Sequence, residues 1–218
     1  MQIRPYEDKD RDGLLALWEA ALPLDGLSLP DFERRVLLDW NRERESLMLA
    51  FEDPAGPPLG FILCLVLRYP IENTGLLENR GFITAFGVHP GHRRKGIGAA
   101  LLDRAEQFFR DRNRNEIAIA PYTPNYFVPG VDKERYTDGI AFLEKHGFKE
   151  FSEGIAADAM IGRFEVAPDV REKEEKLRTE GITVEPFRRK QMAEYIDFMA
   201  AHMPGPWLED ARRNLRDL

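Results

Sequence analysis

The sequence predicts an α/β (α+β) protein, a central sheet flanked by helices. Three observations carry this. The apolar patterns along residues 1–166 run strand, two helices, three strands, helix, strand, helix, hairpin. The stretch Gly60–Leu67 is a continuous apolar run, as a strand covered on both faces requires. Residues Gly81–Arg112 join a strand, a basic glycine-bearing turn and an amphipathic helix into one unit.

Composition sets the bounds. At 218 residues the chain can hold one good-sized domain plus a remainder. Hydrophobic residues at 43% and charged residues at 32% describe a soluble globular protein. The net charge of −7 argues against a general nucleic-acid binder, so any basic site is local. A single cysteine, Cys64, excludes an internal disulfide and fits a reducing compartment. It lies in the run Phe61–Leu67, which is too short to span a bilayer, and is expected to be a buried core thiol. The first residues lack the apolar core of a signal peptide, and a cytoplasmic protein is expected. No His/Cys/Asp cluster has metal-ligand spacing.

In order, Gln2–Tyr6 reads as a first strand. A helix follows, with Leu14, Leu15, Leu17, Trp18 and Leu22 on one side. Ser28 with Asp31 forms a capping box, and Pro30 is tolerated in a first turn. The second helix turns Phe32, Val36, Leu37 and Trp40 inward. Ser46–Glu52 alternates like a half-exposed strand, and Asp53–Pro58 is a turn. Gly60–Leu67 is the central strand, and Arg68–Arg80 is a polar loop. After the Gly81–Arg112 unit, Glu116–Ala120 is a strand and Pro121–Arg135 a long loop. A helix from Tyr136 to His146 ends at Gly147, a left-handed cap. Phe148–Phe151 and Ala159–Glu165 pair as a closing hairpin, and Pro168–Glu180 is an exposed charged helix.

The Gly81–Arg112 unit carries the chemistry. Its helix presents Ile97, Leu101, Ala105, Phe108 and Phe109 at helical spacing. The free N–H groups at a helix start, on the positive end of its dipole, bind phosphate. Gly96 and Gly98 allow close approach, and Arg93, Arg94 and Lys95 supply charge. A Walker loop fails because the turn ends Gly-Ile-Gly-Ala rather than Gly-Lys-Ser/Thr. A dinucleotide fingerprint fails because its third glycine would be Leu101 and its acidic residue would fall near Ala118. The acyl-CoA loop Arg/Gln-x-x-Gly-x-Gly/Ala fits Arg93-x-x-Gly96-x-Gly98, approached by Val88-x-Pro90-x-x-Arg93. On these residues, residues 1–166 resemble the GNAT superfamily of acyl-CoA N-acyltransferases.

The resemblance implies a mixed sheet in which Gly81–Val88 and Glu116–Ala120 are parallel neighbours that splay apart around acetyl-CoA or another acyl-CoA. It assigns cofactor binding to Phe86, Gly87, Val88, Arg93, Arg94, Lys95, Gly96, Ile97, Gly98 and Ala99. A backbone N–H at a strand bulge near Phe86–Val88 would polarise the thioester oxygen. It implies transfer to a small-molecule or peptide amine, with Arg68–Arg80 near the acceptor. The family's usual tyrosine acid is replaced by Leu143 in Ala141–Phe148. Tyr136, on the same helix face, and Tyr126, on the long loop, are the substitutes. Glu78 is the candidate base, and Glu72 and Asp132, also in loops, are the alternatives. The departure at Leu143 keeps a second function open, a non-catalytic CoA-binding module.

Residues 182–218 echo the start of the chain. Ile3-Arg4-Pro5-Tyr6, Leu14-Leu15, Leu17-Trp18 and Leu22-Pro23 match Val184-Glu185-Pro186-Phe187, Tyr195-Ile196, Phe198-Met199 and Met203-Pro204 at constant offset. The expected organisation is a domain over 1–166, a charged linker helix over 167–181, and the opening strand and helices of an incomplete second repeat over 182–218. Such a tail cannot bury its own apolar faces, so it is expected to dock on the first domain or to mediate a homodimer.

Overall fold

The computed structural model describes residues 1–125, 130–155, 162 and 164–216. The chain divides into two compact units, residues 1–132 with 196–218, and residues 133–195.

The first unit is built on a five-stranded sheet in the order β1 (Gln2–Pro5), β2 (Leu47–Phe51), β3 (Gly60–Leu65), β4 (Arg80–Val88), β5 (Glu116–Ile119). The first four strands are antiparallel neighbours, and β4 and β5 are parallel, so the sheet is mixed. Helix α1 (Arg11–Ala21) covers one face. It buries Leu14, Leu17 and Trp18, and the Trp18 ring stacks on Phe61 with centroids 4.6 Å apart. A short helix α2 (Leu29–Phe32) starts at Ser28, whose hydroxyl oxygen accepts from the Asp31 N–H at 3.2 Å. It runs on into a π turn, Glu33–Leu37, which buries Phe32 and Val36. Helix α3 (Ile97–Arg110) covers the other face with all five of the residues its periodicity marks, each buried. Cys64 is buried and free, and burial pushes its thiol far up, as expected of a core thiol.

Two expectations are corrected here. Strand β2 is buried at all five positions rather than half-exposed, because it lies between β1 and β3 with both faces covered. Trp40 is 53% exposed rather than inward; the π turn rotates it out of the helical register that Phe32 and Val36 follow.

The key feature of the sheet lies in β4. Leu63 pairs with Ala85 and Cys64 with Ile83, so Thr84 is an extra residue, a β-bulge. A bulge moves every later side chain to the opposite face. The glycines record it. A Cβ on Gly81 would overlap Phe109 of α3, whereas a Cβ on Gly87, six residues on, would meet Ala21 of α1 and Phe61 at 2.8 Å each. In a regular strand these two positions would face the same way.

The second unit carries α4 (Thr137–Lys145) and α5 (Pro168–Thr179). Helix α4 ends as expected: Gly147 is left-handed (φ 86°), and the Phe148 N–H donates back to the Leu143 carbonyl at 3.1 Å. Helix α5 is the exposed charged helix, opened by Pro168. The expected hairpin is corrected in its first half, since Phe148–Phe151 forms no strand. Residues 159–161 and 163 of its second half lie outside the described residues.

The tail reproduces part of the echo. A three-residue 3-10 turn and an 11-residue helix open the chain at Asp8–Asp10 and α1. The same pair recurs at Arg189–Gln191 and α6 (Met192–His202), both displaced by 181 positions (189 − 8 and 192 − 11). Residues 182–188 form no strand. Helix α7 (Pro206–Arg216) packs within the first unit, against the turn Thr123–Asn125, and buries Leu208 and Ala211. Arg213 and Arg216 each lie 5.1 Å from the exposed Trp40 ring, and Arg212 pairs with Glu72 at 2.8 Å. In the tail, Met199 is buried, whereas Phe198 and Trp207 are exposed.

Two outcomes follow from this packing. Gly81→Ala forces a methyl against the Phe109 ring and should cost about 1–3 kcal/mol, a fall in Tm of about 2–10 °C by calorimetry. Removing residues 203–218 strips away Leu208, which is fully buried. That loss alone is worth about 1.5–3 kcal/mol, so Tm should fall by several degrees. An unchanged Tm would mean that α7 adds nothing to the unit.

Candidate functional site

The site grows out of β4. Its parallel pairing with β5 holds from Arg80↔Glu116 to Ile83↔Ile119 and then ends, while β4 continues to Val88. The last link is the Ala120 N–H to the Ile83 carbonyl at 3.0 Å. Ala120 is left-handed (φ 75°) and swings the chain away. Two residues later Tyr122 is completely buried. Its hydroxyl donates to Asp39 Oδ1 at 2.8 Å and accepts from Asn41 Nδ2 at 2.7 Å, while Asn125 Nδ2 donates to Asp39 Oδ2. Burial, and then the Asp39 carboxylate, pushes the phenol well above its ordinary range, so it stays a hydrogen-bond donor. This network pins the chain beyond β5 to the segment after α2. Beyond Ile83, residues 84–88 of β4 make no strand pairing on the β5 side among the described residues.

At the far end of that strand lies the basic turn. His89 Nδ1 accepts from the Gly91 N–H at 3.2 Å and caps a 3-10 turn, Pro90–His92. That bond makes His89 a turn-former. Arg94 (φ 61°) and Gly96 (φ 83°) are both left-handed, and Gly96 caps α3. A run of this kind turns successive N–H groups to one side, an anion-binding concavity. The first bond of α3 is the Ala100 N–H to the Gly96 carbonyl at 3.0 Å, which leaves the N–H groups of Ile97, Gly98 and Ala99 unspent. Nothing stands within 4 Å of the place where a Gly96 Cβ would be. Arg94 and Lys95 are exposed, with no hydrogen bond or ion pair among the described residues.

Arg93 is anchored to its surroundings. Its guanidinium donates to the Val88 carbonyl at 3.2 Å and to the Ala21 carbonyl at 3.4 Å. It braces the turn against the ends of β4 and α1 instead of standing free. The expected bulge is displaced. It falls at Thr84, where the pairing with β5 stops, and not at Phe86–Val88. Gly87 is glycine because Ala21 and Phe61 leave no room for a side chain. Phe86 and Val88 are half-buried on the strand beyond the parting.

These features suit an acyl-CoA. An open turn, unspent N–H groups and two uncommitted cations could hold its phosphates, and an unpaired strand edge could take its amide-bearing arm. A cavity of about 240 Å³ lies in the same unit, lined by Leu67, Ile71, Thr74, Arg80, Phe82 and Pro206 among others. The Arg68–Arg80 loop thus builds much of its wall.

The candidate proton carriers come from different parts of the chain. Glu78 is exposed just before β4, and its backbone carbonyl accepts from Arg114. Glu72 is engaged by Arg212. Asp132 ends the first unit's main segment. Tyr136 caps α4 in the second unit. Tyr126 lies outside the described residues. Within the second unit, His146 Nδ1 is 2.8 Å from the Phe142 carbonyl. Among the described residues no group of His, Cys, Asp or Glu could hold a metal ion, and no helix is long and apolar enough to cross a membrane. The sequence offered no signal for the Tyr122 network, because its partners lie some 80 positions away in the chain.

Solved structures share this fold. A transcriptional regulator from Bacillus halodurans C-125 superposes with a TM-score of 0.54 at 20% identity, covering 72% of this chain and 99% of that one. A putative acetyltransferase from Agrobacterium tumefaciens str. C58 gives 0.52 at 18% identity, covering 73% and 100%. An aminoglycoside antibiotic 6'-N-acetyltransferase from Acinetobacter haemolyticus gives 0.50 at 18%, covering 74% and 99%. At these identities the likeness is one of fold. The family model described as "Acetyltransferase (GNAT) family" matches residues 13–148, more than half of the chain, and the chain belongs to that family.

Proposed function

We propose that this protein is an N-acetyltransferase that moves an acetyl group from acetyl-CoA directly to a primary amine. The observation that carries it is the left-handed Arg94–Gly96 turn with its unspent N–H groups, set at the end of a strand that has left its neighbour. Membership of an acetyltransferase family supports the same reaction class. When bound, acetyl-CoA supplies an activated thioester. The chain supplies position: Arg94, Lys95 and the N–H groups of Ile97, Gly98 and Ala99 hold phosphate, and the free edge of Phe86–Val88 orients the arm. The Arg68–Arg80 loop and the cavity behind it form the acceptor side, open to a small-molecule or peptide amine.

Proton traffic falls to residues of the right chemistry. An attacking amine must be neutral, and Glu78 is the proposed acceptor of its proton, directly or through water. Tyr136 or Tyr126 returns a proton to the departing sulfur. The alternative is a CoA-binding module without turnover, favoured by one observation: Leu143 stands where the family's tyrosine is expected.

Calorimetry with acetyl-CoA tests the assignment. The wild type should bind, and Gly96→Val and Gly98→Glu should each abolish binding, since either side chain enters the phosphate space. Affinity unchanged in both variants would overturn the acyl-CoA assignment. Thioester consumption with polyamines, aminoglycosides, amino acids and peptides separates enzyme from binding module. With an acceptor in hand, Tyr136→Phe and Tyr126→Phe divide the two candidates. The one that carries the proton should lose about 100-fold in kcat while keeping its acetyl-CoA affinity; if neither does, both are excluded.

A further inference from the structure

The cavity of about 240 Å³ lies where β4 and β5 part, and the tail supplies one of its walls. On one side is Phe82, from the stretch of β4 still paired with β5. Pro121, also in the lining, follows Ala120, the residue at which the chain turns away. Ile71 and Leu77 of the Arg68–Arg80 loop form a second wall, and Pro206, the first residue of α7, a third. Helix α7 fits closely against that loop. Gly205 is left-handed (φ 75°), and a Cβ there would stand 3.0 Å from Thr74 Oγ1 and 3.4 Å from the Glu72 carbonyl. Arg212 holds the Glu72 carboxylate, 140 positions earlier in the chain, at 2.8 Å. The lining is apolar apart from Arg80, Thr74 and Thr123, and no carboxylate lines it among the described residues. Glu72 and Glu209 are each held by an arginine of α7, and Glu116 is held by Arg80 itself. Glu78, the other carboxylate of the loop, does not line the cavity.

We infer that this cavity takes an apolar body, about one side chain in size, that carries the reacting amine, and that Pro206 of α7 limits how large that body is. This rests on the acetyltransferase reading above and names the substrate class within it: amines borne on an apolar side chain or ring, as against polyamines and aminoglycosides. Charge decides the class. A second ammonium buried here would meet a guanidinium and no counter-charge, and an unpaired buried charge is costly. Size sets the limit. The volume falls below the roughly 300–1,000 Å³ of pockets for drug-sized ligands, so one side chain or ring fits and a multi-ring cation does not. A free arylalkylamine, an apolar amino acid and the first residue of a peptide all present the same apolar body beside a primary amine. No bond is made or broken at the lining; its part is to choose the body and hold it.

The test follows thioester consumption by the full chain with acetyl-CoA. Phenethylamine, phenylalanine and a peptide beginning with phenylalanine are set against glycine, spermidine and kanamycin. At least one of the first three should exceed each of the last three by about 10-fold or more in kcat/KM, and which one does so identifies the source of the body. Two variants then test the wall. Pro206→Phe should raise KM for that best acceptor by about 10-fold, and Pro206→Ala should shift the preference toward its bulkier naphthyl analogue by about 5-fold, both with unchanged calorimetric affinity for acetyl-CoA. A kcat/KM for glycine, spermidine or kanamycin equal to the best apolar amine would overturn the inference and leave the acetyltransferase reading intact. So would wild-type preferences in both variants. Should Pro206→Phe not fold, Pro206→Ala decides alone. A wild type that binds acetyl-CoA but consumes it with no amine of the panel is the binding module, and the inference falls with the acetyltransferase reading.

Discussion

Strand β4 must serve a partner along nearly its whole length on one side and only along its first half on the other. The bulge at Thr84 is how it does both. Before the bulge, Gly81 turns its missing side chain toward α3; after it, Gly87 turns toward α1. The two helices can therefore press on the same strand from opposite faces, each against a glycine. The close approach of α3 also fixes where its N-terminus lies. Gly60 and Gly81 seat it on the sheet, with Ile97 and Leu101 against the first and Phe109 against the second. Its N-terminus then comes to rest just past the end of β4, and Arg93 ties the intervening turn to Val88 and Ala21. The Arg93–Gly98 turn is thus held in place without using Arg94 or Lys95.

The end of the pairing with β5 needs a second constraint, since a parallel neighbour would otherwise keep pairing. Ala120 pays for the departure with a left-handed backbone, an unfavourable conformation for a residue with a Cβ. Tyr122 offsets that cost by burying a whole ring and satisfying Asp39 and Asn41 at once. Asn41 in turn accepts from the Arg68 N–H at 2.7 Å. One buried polar cluster thus joins the exit of β5, the segment after α2 and the start of the loop that walls the cavity. Such clusters stabilise when every member is satisfied, and here the hydroxyl both donates and accepts.

What could be read from the sequence is what local chemistry dictates. The Arg93–Gly98 turn, the stripe from Ile97 to Phe109, the Ser28 cap and the Gly147 cap all depend on residues within a few positions of one another. What could not be read depends on partners distant in the chain. The register of β3 against β4 decides where the bulge falls, and no residue near Thr84 announces it. Burial of β2 on both faces follows from its place between β1 and β3, although its own residues alternate weakly. The contacts of Arg93 with two carbonyls, one of them 72 positions away, could not be read either. Trp40 is apolar and helically spaced, yet the π turn sets it outside, under Arg213 and Arg216.

The echoed tail makes the same division within one chain. Similar sequence gives a 3-10 turn followed by an 11-residue helix at both ends, because capping and helical periodicity are local. The strand is not reproduced. Ile3 and Arg4 are extended because β2 supplies Ala50 and Leu49 opposite them, whereas Val184 and Glu185 have no strand pairing. A strand acquires its stability from the neighbour that completes its hydrogen bonds, whereas a helix carries its bonds with it. Burial diverges for the same reason. Helix α1 buries Leu14, Leu17, Trp18 and Ala21 because a sheet faces it, while α6 buries Met199 alone among its described residues. Equivalent sequence therefore specifies equivalent turns and helices, and the surrounding structure decides whether they become part of a core.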